Sequence, residues 1–246
     1  MKTSTLTVVS TAKSEPTLLT HLRKLQQMRG TSAIILPELR RIKDWQHARL
    51  AVTYADLAAD TRFAPATAFF LDELYGGKDC ALRDRDLVRM VPTMQRLLPA
   101  FALETVEKAI ALDVISEECD QAMAAATAHL KSLSEATYCG AFQQVGMQME
   151  REYQVVLMQE VGSRLDVVVK KSMIYTTLKM LRGPSKLAGM GEIQAFLEAG
   201  FTAFRHMKGA DYFLQTIAQR ESTFITRIFA GEAKPFRLEG IPVASG

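Results

Sequence analysis

Cysteine is scarce in this chain, and so is any run of strand-forming residues; each scarcity removes a class of protein. The three cysteines, Cys80, Cys119 and Cys139, are odd in number and lack Cys-x-x-Cys spacing. That argues against a disulfide framework or a zinc site and fits a reducing compartment. β-Branched runs are short, as at Val8 with Val9, Ile34 with Ile35, and Val167 to Val169, and none of these alternates with polar residues between turns. A sheet is therefore not expected. No stretch of about 18 apolar residues occurs, so no transmembrane helix is expected. Met1 to Ser14 holds only a short TLTVV run where a signal peptide needs a longer apolar segment. The expected location is the cytoplasm.

Net charge is also small. A formal +3 is too weak to mark a nucleic-acid or membrane surface, and neither partner is expected. The bases are uneven, however: Lys13, Arg23, Lys24, Arg29, Arg40, Arg41, Lys43 and Arg49 face only Glu15, Glu38 and Asp44. Such a stretch is either a solvated helix face or a surface for an anionic partner.

What is present is helical periodicity on a chain of 246 residues, long enough to bury a substantial core. With 48% hydrophobic and 23% charged residues, neither disorder nor a fibrous repeat is suggested. The expectation is an all-α, compact bundle of eight to ten helices in one domain, residues 1–246. A soft boundary is expected near 137–146, with loose ends at 1–13 and 234–246. Ser14, Glu15 and Pro16 read as a cap opening a helix to Gly30, and a second helix is expected from Pro37 to about Ala59. Pro65 starts a third, aromatic helix stopping at Gly76 and Gly77. Pro92 predicts a kink or two short helices. Ala102 to Val114 and Ser116 to Leu133 read as separate helices, with Ser116 as a cap followed by acids. The longest helix should run from Met147 to Leu181, weakened at Gly162 and ended by Gly183 and Pro184. Two more carry Ile193 to Phe204 and Phe213 to Ile228, the last closed by Gly231.

Chemistry is harder to find. There is no Glu-x-x-His; Asp44 and His47 have the right spacing, but one such pair supplies too few ligands, and no metal site is expected. Haem needs only one histidine in an apolar cleft, and of His21, His47, His129 and His206 the last has the best flank, Phe201 to Phe204. No serine or cysteine nucleophile arrangement and no phosphate loop is present. Two polar features break the bland pattern. Glu221 falls on the apolar stripe of the last helix, where it must pair with an arginine of a neighbouring helix or stand as an acid in a pocket. The cluster Arg83, Asp84, Arg85, Asp86 and Arg89 follows the aromatic helix, where an arginine under Tyr75 could lock the turn. The candidate ligand-binding residues are thus Tyr75, Arg89, His206 and Glu221, with no cofactor specified.

FFLDELYGGKD, Phe69 to Asp79, followed by RDRDLVRMVPTMQRLLP, Arg83 to Pro99, resembles a group of uncharacterised helical proteins from bacteria. They share an aromatic pair, then Leu-Tyr-Gly, Arg-Asp, a proline and a Leu-Pro at similar spacing; Gly77 and Cys80 here stand where a proline and an aromatic would be expected. RESTFITRIFAGEAKPF, Arg220 to Phe236, is similar to that group as well. The resemblance implies a bacterial cytoplasmic origin and no named activity. Two readings follow. The first is a non-enzymatic protein that binds a partner, a second copy of itself above all, because twelve methionines and many helix-borne aromatics supply adaptable apolar surface. The second is a helical pocket for a hydrophobic or aromatic small molecule such as haem.

Overall fold

The computed structural model describes residues 17–31, 36–74 and 81–240. Among them the chain is all-helical and has no strand. The first helices are α1 (Thr17–Thr31), α2 (Leu36–Thr53), α3 (Ala55–Ala59) and α4 (Ala64–Phe69), the last running into a π-helical turn at Phe70–Leu74. Next come α5 (Ala81–Leu97), α6 (Ala100–Ala126), α7 (Glu135–Val145) and α8 (Gln148–Val169). The chain closes with α9 (Ser172–Met180), α10 (Arg182–Leu187), α11 (Gly191–Met207) and α12 (Asp211–Phe229). The expected cap at Ser14 to Pro16 and the stop at Gly76 and Gly77 lie outside the described residues.

Two long helices organise the packing. α6 meets α1, α2, α7 and α8, while α8 meets α6, α11 and α12. Apolar side chains gather in three clusters: Phe63, Phe204 and Phe213 with the ends of α8 and α9; Ile42, Met123, Phe142 and Ile225 between α2, α6, α7 and α12; and Leu22, Val91 and Ile193 between α1, α5 and α11.

Several expected boundaries move, each for a local reason. α6 is one helix, not two: Ser116 is no cap, since its hydroxyl donates back to the Leu112 carbonyl at 2.8 Å and so leaves the helix intact. α5 passes through Pro92 as a single helix. The long helix expected from Met147 to Leu181 breaks instead at Lys171, whose backbone is extended (φ −89°, ψ 105°). The β-branched run Val167 to Val169 weakens helix there, and the break lets Val168, Val169 and Ile174 enter the same cluster. The expected end at Leu181 holds, α9 closing at Met180 with Leu181 as its cap, but Gly183 and Pro184 then fall in the first turn of a further short helix, α10, where the missing proline N–H has no helical acceptor to lose. Gly162 has a packing reason: a Cβ there would lie 2.3 Å from Leu214 Cδ2, so α12 approaches α8 only because the position is bare.

The tail is anchored as far as Gly240, contrary to the expected loose end from 234. Arg227 donates to the carbonyls of Arg237 (2.5 Å) and Glu239 (3.1 Å). Phe236 packs on Trp45, Tyr138 and Phe224.

Candidate functional site

Of the four nominated residues, Tyr75 lies outside the described residues, and the other three share no partner. His206 is exposed at the end of α11, its Nε2 3.0 Å from the Thr61 carbonyl. Arg62 works beside it, donating through Nε to the Met207 carbonyl at 2.7 Å and through Nη2 to Gly209 at 3.0 Å. Together they tie the turn before α4 to the open carbonyls ending α11. Arg89 donates to the Ala188 carbonyl at 3.1 Å and lies 3.6 Å from the buried Asp86 carboxylate. That joins α5 to the turn after α10.

Glu221 is the informative one. It accepts from Arg49 Nη1 at 2.6 Å, from Arg49 Nη2 at 3.1 Å and from the Tyr54 hydroxyl at 2.6 Å. The ion pair with an arginine of a neighbouring helix is therefore present, and the same guanidinium stacks over Phe224 and Phe236. Burial would drive Arg49 toward neutrality, yet the Glu221 charge outweighs it and holds the guanidinium above its ordinary value. Burial, and then the negative Glu221, push the Tyr54 hydroxyl well up. One residue earlier, Arg220 forks onto Asp56 (2.9 and 2.6 Å) and reaches the Thr53 carbonyl. Two forks of opposite polarity thus fasten α12 to the end of α2 and to α3.

The pairing continues along α2. Lys43 and Arg29 both reach Glu117 Oε2, at 3.0 and 3.3 Å, and Arg29 also takes Asp113 at 2.7 Å. Gln46 donates to Asp120 at 3.0 Å and to the Tyr138 hydroxyl at 3.2 Å. Glu117 is only 1% exposed; burial would raise its pKa, but the Lys43 and Arg29 charges win and hold it below the usual range. Asp120 goes the other way: its burial outweighs the help of Lys43 and Gln46 and raises it. Cys119, beside it, is pushed by burial to about 11, which leaves it a thiol and a poor nucleophile. Arg151 is buried with its guanidinium 3.8 Å above the Phe142 ring.

This seam explains the basic N-terminal region. Lys24 pairs with Glu118, Arg29 and Lys43 with Glu117, and Arg41 caps the Thr127 carbonyl at 2.9 Å. Lys24, Arg29 and Lys43 meet acids of α6 and Arg41 a carbonyl just past its end, so the pattern had misleading local meanings on both sides: bases read as a surface, acids as a cap.

The aromatic segments fill one another. Phe69 meets Phe70 and Phe196, Phe70 meets Phe204 and Phe213, and Phe63 meets Tyr212, at centroid distances of 5.3–6.2 Å. Two open depressions flank them. One, of about 290 Å³, lies among Asp166, Lys170, Ser172, Arg205 and Lys208; the other, of about 390 Å³, lies between α4 and α11 over Phe69 and Ala199. No group of three or more histidine, cysteine or acidic side chains placed to hold a metal occurs among the described residues.

The surface carries what the interior does not. Nine positions of α8 are exposed, Gln148, Met149, Glu150, Glu152, Tyr153, Val156, Glu160, Ser163 and Val167, and four of them carry large apolar or aromatic groups: Met149 (77% exposed), Tyr153 (51%), Val156 (47%) and Val167 (49%). Met149, Tyr153 and Val156 follow one another at spacings of four and three, those of a helix seam.

A family model described as "Domain of unknown function (DUF8198)" matches residues 25–235, and the chain belongs to that family. This uncharacterised family agrees with the resemblance to an uncharacterised group. No curated protein and no solved structure matches the chain. No helix among the described residues is long and apolar enough to cross a membrane.

Proposed function

We propose that this chain is a non-catalytic, self-associating helical protein of a bacterial cytoplasm, and that its interface is the outward face of α8 paired antiparallel with α8 of a second copy. The observation that carries the reading is the run Met149, Tyr153 and Val156 on one side of α8, with Val167 further along, because contiguous apolar groups left in water are a mark of an association surface. The stripe can meet a second copy of itself in one register. Antiparallel pairing about residue 158 sets Met149 against Val167, Tyr153 against Ser163 and Val156 against Glu160. The first half of the helix carries Glu150 and Glu152, the second Arg164 followed by Lys170 and Lys171. The same pairing sets Glu152 across from Arg164, which would share its charge between Glu152 of the second copy and Glu104 of its own α6, 2.9 Å away.

The bacterial and cytoplasmic parts of the reading rest on the resemblance of Phe69 to Pro99 and on the three cysteines without disulfide spacing. Non-catalysis is supported by the seam itself, whose carboxylates are occupied by lysine, arginine and glutamine. Sedimentation equilibrium at micromolar concentration tests the reading: a dimer is expected for the natural chain and a monomer of unchanged helicity for Val156→Asp. A natural chain that sediments as a monomer overturns it.

A further inference from the structure

The twenty-five residues from Val167 to Gly191 contain no aspartate or glutamate, but they contain Lys170, Lys171, Lys179, Arg182 and Lys186. They form the end of α8 together with α9 and α10, and three of their apolar side chains stand in water, Leu187 more exposed than any other large apolar residue among those described. Met173 is 60% exposed, Met180 73% and Leu187 92%. In sequence each stands within two residues of a cation: Lys171 before Met173, Lys179 and Arg182 around Met180, Lys186 before Leu187. Next to this face lies the 290 Å³ depression, where Lys170, Arg205 and Lys208 surround Ser172. Asp166 lines it as well and takes up Lys170 at 2.5 Å. Arg182 is paired with Glu198, and Lys179 and Arg205 lie over the Tyr175 ring at 4.4 and 4.9 Å. Lys171, Lys186 and Lys208 make no ion pair among the described residues.

We infer that the outer face of α9 and α10 docks peripherally on an anionic lipid surface. A face that is basic and apolar at once has few partners. Nucleic acid would satisfy the lysines and leave Met173, Met180 and Leu187 in water. A lipid interface takes both: lysine stems lie along the acyl boundary with their ammonium groups among headgroup phosphates, while long unbranched side chains enter between the lipids. The exposures support this mode. Leu187, at 92%, protrudes more than any residue of the α8 stripe, which suits insertion into a deformable medium better than packing against a preformed helix. The depression gives an adjoining place for a headgroup phosphate. The sequence-wide charge of +3 concealed this cluster because acids elsewhere offset it. Val167, Lys170 and Lys171 also serve the proposed α8 pairing, so the docking face proper is Met173, Lys179, Met180, Lys186 and Leu187, which that pairing does not use.

The test is co-sedimentation of the full chain with vesicles of phosphatidylcholine alone and of phosphatidylcholine containing about a third phosphatidylglycerol, at low and high salt. Binding is expected to the anionic vesicles only and to fall by about tenfold or more at high salt. Leu187→Asp and Lys186→Glu are each expected to weaken it by about tenfold with an unchanged thermal melting curve. A milder pair, Leu187→Ser and Lys186→Gln, keeps the test valid if either of those variants fails to fold. Absence of binding to anionic vesicles at low salt overturns the inference, as does binding that these substitutions leave intact. Salt-sensitive capture on polyglutamate without vesicle binding also overturns it, and points to an acidic protein instead.

Discussion

Arg49 is held on three sides by the Glu221 carboxylate and the Phe224 and Phe236 rings, so removing its counter-charge leaves a cation with little water to replace it. Glu221→Ala should cost about 3 kcal/mol in urea unfolding, the low end for a buried pair because both side chains keep some solvent contact. The double variant Arg49→Met with Glu221→Leu should recover most of that. If the single variant is as stable as the natural chain, the pair is not what fastens α12. Glu117 gives a pH prediction. Its folded pKa lies below its ordinary 4.5, so its contribution is complete above the unfolded value and is lost as pH falls through the folded one. Unfolding free energy should therefore drop in acid below about pH 4.5, and Glu117→Gln should flatten the part of that drop due to this residue, as read by denaturant titration across pH.

At the scale of the helix, Gly162 shows how packing overrides local propensity. An alanine there should gain about 1 kcal/mol of helix propensity, but its Cβ would strike Leu214, and overpacking costs about 1–3 kcal/mol. Gly162→Ala is expected to lower the melting temperature, and Leu214→Ala in the same chain to relieve that part of the loss. A stabilised Gly162→Ala would contradict the close approach of α8 and α12. The elements legible in the sequence were those whose apolar period is carried by large residues, such as α11 with Ile193 to Phe204 and α12 with Phe213 to Ile228. The union of α6 was not, because Glu117 and Glu118 look locally like the acids of a helix start. Only their partners on α1 and α2 reveal that they belong mid-helix. The site was half legible in the same way. Glu221 stood out as a carboxylate on an apolar stripe, but its partner lies 172 positions earlier among several arginines of one helix, and nothing local singles out Arg49. His206 stood out for an aromatic flank whose rings prove to be taken up elsewhere, Phe201 on Tyr175 and Phe204 against Phe70.

For the whole molecule, the interior is closed by its own charges while the outer side of the C-terminal half is left with apolar groups in water. The charge seam fixes α1, α2, α6 and α12 against one another, which makes the outer face of α8 a firm surface on which a second copy can register. Disulfide trapping tests that arrangement most directly, in a chain whose natural cysteines are replaced by alanine. Oxidation of a mixture of Met149→Cys and Val167→Cys proteins should give a mixed disulfide dimer in preference to either homodimer, because antiparallel pairing sets those two positions face to face. Preferential Met149→Cys homodimers would contradict the antiparallel register, and no crosslinked dimer at all would contradict the interface.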